Sequence, residues 1–414
     1  MKISNIEIKN FKSFRDVSVD LNNLNVLIGA CSSGKTNFIE IFKFLKDISI
    51  DFNNAVNIHA GSFLQNFTSI DNDENVCVKI SFGDDSYENT NFYLSNFKNS
   101  SNKEFDLQFR KIIYEISFNF NNNKCKILNE NVEFHFDIKN NEDNSIFENE
   151  LYIKNNNGKI TSDLKHETIL KVSDLIPESL LYFAENTFNK SNVPIINSSL
   201  STVPVPWKML FNEILFYDFD PKFCKNINKH NGNIKLTELG ENLPFVLDNI
   251  LTSDKRKFLN LVNILFPDIK EVDVDKITED TKIFTIQESY SNYIVPAPLV
   301  SDGTSNSIAL LIAIFFEESN NVLIEEPERN IHPSLLNKFV YLLKDASQHK
   351  QIIVTTHSPE LLKNMDLNTV LFIFRDVNGF SNITKPINNK ILKEFIDEFG
   401  IDEVFIDNYM EIGQ

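Results

Sequence analysis

Gly29-Ala30-Cys31-Ser32-Ser33-Gly34-Lys35-Thr36 follows the spacing G-x-x-x-x-G-K-[ST], that of a loop that cradles phosphates. Each residue type has a use there. Backbone N–H groups of the loop converge on phosphate oxygens, and the start of the following helix adds positive partial charge. Gly29 and Gly34 allow backbone angles and close approaches that a Cβ would block. Lys35 is expected to reach the β- and γ-phosphates, and the Thr36 hydroxyl to ligate Mg²⁺. Asn37, next in the chain, falls in the first turn of that helix. The expected ligands are ATP and Mg²⁺.

Three further constellations carry chemistry. Val322-Leu323-Ile324-Glu325-Glu326-Pro327-Glu328 is an apolar strand ending in paired carboxylates, the position of the ligand crevice in open α/β sheets. Glu325 suits the Mg²⁺ shell, and Glu326 suits a base that orients and deprotonates water. Alone, such a pair would read rather as the start of a solvated loop. Thr355-Thr356-His357-Ser358-Pro359 again follows a buried strand, where His357 is placed to sense a γ-phosphate or the attacking water. Ser301-Asp302-Gly303-Thr304 opens an apolar helix and offers a hydroxyl and a glycine backbone as a second phosphate nest. Taken alone, it is a turn and a helix cap.

These residues need elements to hold them. Leu24 to Ile28 reads as a buried strand, and Asn37 to Leu45 has apolar residues at helical spacing. Strand, glycine loop and helix is the context in which the first motif has meaning. The chain opens with two alternating segments, Lys2 to Phe11 and Ser13 to Leu21. More follow at Val76 to Phe82, Tyr93 to Ser95, Ile112 to Phe120, Val132 to Ile138 and Glu150 to Lys154, separated by Asn-rich turns, as in antiparallel hairpins. From about Leu164 the pattern turns helical, with candidates at Trp207 to Leu215, Asn242 to Leu251 and Lys255 to Leu265. The last third alternates strand and helix, with buried strands at Asn321 to Ile324 and Gln351 to Thr355 and a helix over Pro333 to Ala346. The division expected is a first ATPase lobe over 1–163 with an antiparallel β subdomain, a helical insert over 164–270, and a second lobe over 271–414.

Composition sets outer bounds. The 414 residues are 42% hydrophobic and 24% charged, which suits a globular chain of two or three units. Four dispersed cysteines without a C-x-x-C pair argue against a disulfide framework or zinc site and fit a reducing cytoplasm. The longest apolar run, Ile308 to Phe316, is nine residues, too short to span a bilayer, and no secretory signal is read. A net charge of −18 argues against a surface coated for nucleic acid, although a local basic groove remains compatible with it. The 37 Phe and the single Trp read as compositional bias.

The order phosphate loop, S-D-G-T, I-E-E-P-E, T-H-S-P resembles the ABC-type ATPases of the SMC/RecF class, and more narrowly compact bacterial AAA family ATPases related to the ATPase half of OLD-family phage-defence proteins. The opening Ile8-Lys9-Asn10-Phe11-Lys12-Ser13-Phe14 is similar to that class's first motif, and Tyr217-Asp218-Phe219-Asp220-Pro221 and Gly240-Glu241-Asn242-Leu243 to segments of the compact subfamily. The resemblance implies an α/β ABC-type head that dimerises head to head on ATP. Ser301 and Gly303 would then meet a partner's nucleotide, with Lys12 and Ser13 near the nucleotide in cis. Two departures stand out. Ala30-Cys31 replaces the class's Pro-Asn, and Ser305-Asn306 follows the signature where Leu-Arg is common, removing a charge near the expected dimer face. A metal-contacting glutamine is also implied, for which Gln65 is a weak candidate.

No nuclease constellation accompanies these motifs. The resemblance therefore implies a cytoplasmic homodimer or higher oligomer, with no membrane role. Its ATP cycle would regulate a nuclease or toxin encoded by a neighbouring gene, as in anti-phage defence. Two alternatives stay open: a RecF-like repair ATPase acting on DNA, and a nucleotide-gated scaffold with negligible turnover.

Overall fold

The structure, a computed structural model, describes residues 1–59, 75–83, 92–101, 103–121, 124–167, 169–226, 228–229, 235–278, 281–388 and 390–406. Gln65 lies outside the described residues. The chain forms two compact units, each assembled from discontinuous stretches: 1–22, 36–214 and 375–383 in one, and 23–35, 215–374 and 384–414 in the other. Residues 164–214 thus fold with the first unit and 215–270 with the second, so the helical stretch is shared between two cores.

The first unit is an antiparallel sheet with the helix Lys35–Ile50 on one face. Strands Ile3–Phe11, Phe14–Asp20 and Val76–Gly83 lead into the long strands Glu104–Asn121 and Lys124–Asn140, and Ile146–Asn156 and Lys159–Leu164 complete the row. Alternation puts Val78, Ile80, Ile112, Tyr114, Ile116, Val132 and Phe134 on the covered face. The helix Lys35–Ile50 covers that face with aromatic residues. Phe44 packs on Phe11 and Phe118 with ring centroids 5.6 and 5.7 Å apart, and Phe38 on Phe14 at 6.3 Å. The abundant phenylalanine thus supplies core packing here. Glu130, fully buried, is hydrogen-bonded by the Tyr114 hydroxyl at 2.9 Å and the backbone N–H of Ile196 at 3.1 Å, and burial pushes its carboxyl up to about 7.

The second unit carries the parallel strands. Asn321–Glu325, Gln351–Thr356, Leu24–Ile28 and Val370–Arg375 lie side by side in that order, all parallel. Both their faces are covered, which explains their unbroken runs of apolar residues. The helix Asp302–Phe315 is buried all round from Ser305 to Ile314 and so lies inside the core, whereas Pro333–Ser347 buries one face through Leu336, Phe339, Val340 and Leu343. A small antiparallel sheet, built mainly of Ile269–Thr278 and Thr281–Glu288, and the helices Leu243–Ser253 and Lys255–Leu265 complete it.

One predicted helix is absent. Trp207 to Leu215 contains only the short helix Met209–Asn212, followed by the strand Ile214–Tyr217. The aromatic and β-branched run ending at Tyr217 favours a buried strand over a continued helix.

Candidate functional site

Strand register brings the motif residues together within the second unit. Glu325 stands opposite Thr355, and Thr356 opposite Ile28. Gly29, Glu326 and His357 each follow the last residue of one of these parallel strands, so three loops leave the same carboxyl edge of the sheet.

The phosphate loop is shaped by close backbone approaches. A Cβ on Gly29 would stand 2.1 Å from the Ile373 carbonyl oxygen and 2.7 Å from Ser33 Oγ, so only glycine fits. Ser32 at φ 63° and Gly34 at φ 118° turn the loop through left-handed geometry, the conformation that directs successive N–H groups into an anion nest. Lys35 Nζ donates to the carbonyls of Gly29 at 2.7 Å and Ala30 at 3.0 Å. Burial draws this ammonium down to about 8, with Cys31, Glu326 and Glu328 partly offsetting it. Ala30, Cys31, Ser32 and Ser33 form the loop between the glycines, with Cys31 exposed and Ser33 buried.

Lys35 leads to the catalytic candidates. Its Nζ is 3.4 Å from His357 Nδ1, and His357 Nε2 is 3.5 Å from Glu326 Oε1. Burial and the Lys35 charge lower the His357 imidazole below its ordinary range, so it is neutral at pH 7. With an ammonium donor facing Nδ1, the proton is assigned to Nε2, toward Glu326. Glu326 sits at φ 43°, and its backbone N–H donates to Thr355 O at 2.9 Å. This left-handed residue turns the chain sharply at the strand end.

Sequence reasoning passed over Glu328. Its Oε1 accepts the Thr356 hydroxyl at 2.6 Å and the His357 backbone N–H at 3.0 Å, so it pins the histidine loop. Burial raises its carboxyl above the ordinary range. The third acid of Glu325-Glu326-Pro327-Glu328 was the available signal, but its partner lies beyond local pattern.

The signature segment packs against the turn that follows Glu326. Ser301 caps its helix, its Oγ accepting the Thr304 backbone N–H at 3.1 Å. A Cβ on Gly303 would meet the Asn330 carbonyl oxygen at 2.4 Å. Asn306 Nδ2 donates to Arg329 O at 2.8 Å. Ser305 and Asn306 are 0% and 1% exposed, so the pair expected near a dimer face is interior. Ser301 itself is exposed.

Lys12, Ser13, Thr36 and Asn37 belong to the first unit. Ser13 Oγ accepts Asn37 Nδ2 at 2.8 Å and the Ser381 hydroxyl at 2.8 Å, and the residue is 2% exposed. Lys12, at φ 47°, pairs with Glu40 at 3.3 Å, and Glu40 also meets His59 Nδ1 at 2.9 Å. Both side chains are therefore hydrogen-bonded within their own unit.

Within the second unit the donor chemistry fits a triphosphate with its cation: a glycine nest, a loop ammonium and the half-buried carboxylate of Glu325. Among the described residues, no group of three or more His, Cys, Asp or Glu is arranged to hold a metal by itself, and no helix is long and apolar enough to cross a membrane.

The family model described as "AAA ATPase domain" matches residues 1–362. Endonuclease GajA of Bacillus cereus is 54% identical over 39 residues, which are 9% of this chain and only 7% of GajA. An ATP/GTP phosphatase of Helicobacter pylori is 22% identical over 381 residues, 88% of this chain and 87% of that protein. An SMC head crystallised with the C-winged helix domain of ScpA superposes with a TM-score of 0.50 at 13% identity, covering 93% of this chain and 97% of that one. The fold is that of an SMC-like, ABC-type ATPase head.

Proposed function

The chain belongs to the AAA ATPase domain family, and we propose that it is a Mg²⁺-dependent ATPase whose site a second copy completes and whose cycle controls a partner effector. The observation that carries the catalytic part is the line of side chains Lys35, His357 and Glu326 at one sheet edge. In this reading the backbone of Gly29 to Gly34 and the Lys35 ammonium bind and orient the triphosphate. The Thr36 hydroxyl and the Glu325 carboxylate are the groups that would hold Mg²⁺, which would supply charge neutralisation to the triphosphate. Glu326 accepts the proton of the attacking water, and neutral His357 donates from Nε2 to hold water or phosphate oxygen. The exposed cap of Ser301, with Gly303 behind it, is the surface offered to the partner's nucleotide.

The effector reading rests on resemblance. A relative named as an endonuclease shares a short, highly similar stretch with this chain. The effector proposed is a nuclease or toxin from the adjacent gene, in bacterial anti-phage defence. Co-purification with that gene's product tests it: no complex, and no ATP-dependent change in its activity, removes this part of the proposal.

Glu326→Gln tests the chemistry. It keeps the size and hydrogen-bonding shape but no longer accepts a proton. ATP binding is expected to persist, hydrolysis to fall by roughly 10²–10⁴-fold, the usual contribution of a positioned general base, and the dimer to accumulate with ATP. Wild-type hydrolysis in this variant would take Glu326 out of the base role.

A further inference from the structure

Glu326 is a half-exposed carboxylate at the first position of a turn, and a base in that setting needs something to fix its direction. Its two oxygens have different surroundings. Oε1 faces His357 Nε2 at 3.5 Å, on the side of the phosphate loop. Oε2 accepts Arg329 Nη2 at 3.2 Å, and the same guanidinium gives Nη1 to Asp218 Oδ1 at 2.9 Å. We propose that Arg329, anchored by Asp218, is a positioning residue that holds Oε2 so that Oε1 is the oxygen presented to water.

Three features support positioning over a role in restraining the base. Asp218 holds the other arm of the guanidinium, so the fork is fixed from a second side and its direction toward Glu326 Oε2 is set. A planar fork reaching two carboxylates fixes orientation in a way that a flexible ammonium does not. Finally, the backbone beneath Arg329 is itself held. Its N–H donates to Glu326 O at 3.0 Å, and its carbonyl accepts Nδ2 of the buried Asn306 at 2.8 Å. The signature helix is thereby linked through Asn306 and Arg329 to the carboxylate of Glu326.

The ion pairs themselves are worth little to folding. The Arg329 side chain is 42% exposed, where solvent screening leaves ion pairs little net weight in stability. Removing it is therefore expected to leave the melting temperature nearly unchanged, so that an activity loss reports orientation.

The inference rests on Glu326 as the base, and the experiment separates the two. Steady-state ATPase assays compare wild type, Glu326→Gln, Arg329→Ala, Asp218→Asn and the Arg329→Ala/Asp218→Asn pair. Expected is a fall in kcat of about tenfold in Arg329→Ala, as for outer-layer partners that orient a reactive group. KM for ATP should stay within about twofold. Asp218→Asn should fall in the same direction, and the double variant should be no worse than Arg329→Ala, because Asp218 acts through the arginine. If Arg329→Ala does not fold, Asp218→Asn carries the same reading alone. Wild-type kcat in Arg329→Ala, a raised kcat, or a loss confined to KM overturns the positioning role while Glu326→Gln stays inactive. A fully active Glu326→Gln defeats the assignment of the base instead.

Discussion

Lys35 shows how much a single ammonium depends on its setting. It is 6% exposed and its charge is held mainly by two carbonyl oxygens, so burial brings its titration down to about 8. A bound triphosphate would raise that value again through direct ion pairing. The bound form then holds its proton more tightly than the free form, so ATP binding takes up a proton once the pH exceeds the free value. Affinity is therefore expected to be flat near pH 7 and to weaken as pH rises through about 8, by up to a factor of about ten per pH unit until the bound value is reached. Fluorescent-nucleotide titrations from pH 7 to about 10 check this. An affinity independent of pH over that range would show that Lys35 stays charged in the empty loop.

At the scale of elements, the parallel strands and their loops were legible because each motif is local. An apolar run, a turn and two or three polar residues suffice to read Gly29 to Thr36, Glu325-Glu326 and His357. The helices Lys255–Leu265 and Pro333–Ser347 were legible for the same reason, since their apolar period is complete within the segment. Contacts between distant segments were not. Arg329 reaches Asp218 across 111 residues and Asn306 across 23, and no periodicity encodes either. The long strands Glu104–Asn121 and Lys124–Asn140 were only partly visible, because register shifts between Phe109 and Lys111 and between Ser117 and Phe118 break the alternation. The signature helix illustrates the cost of such a contact. Gly303 is not in left-handed backbone; it is required because Asn330 O stands 2.4 Å from where a Cβ would be. Gly303→Ala must push the helix start away from the turn behind Glu326, at about 1–3 kcal/mol for an overpacked site. A lowered melting temperature together with reduced kcat is expected. An alanine variant of unchanged stability would mean that this turn gives way freely.

The whole molecule raises the question of where the site is completed. Gly303 packs against the turn behind Glu326 of its own chain, while the Ser301 cap is exposed. A twofold dimer of ABC-type heads would place that cap against the partner's phosphate loop, and a twofold axis makes the arrangement reciprocal. Each copy carries a net charge of −18, so association must overcome a general repulsion, which argues for work at about 0.15 M salt, where the Debye length is about 8 Å. Reciprocity can be tested by mixing two inactive chains. Lys35→Ala removes the phosphate contact and leaves the signature intact; Ser301→Arg blocks the signature and leaves the phosphate loop intact. If the site is shared, a mixed dimer pairs the good loop of one chain with the good signature of the other. An equal mixture should then recover about a quarter of wild-type ATPase activity, since half of randomly formed dimers are mixed and each holds one working site of two. If each chain completes its own site, every site in the mixture still carries a lesion and activity stays at the level of the separate variants. Recovery that rises with total protein concentration would further tie hydrolysis to association of the two copies.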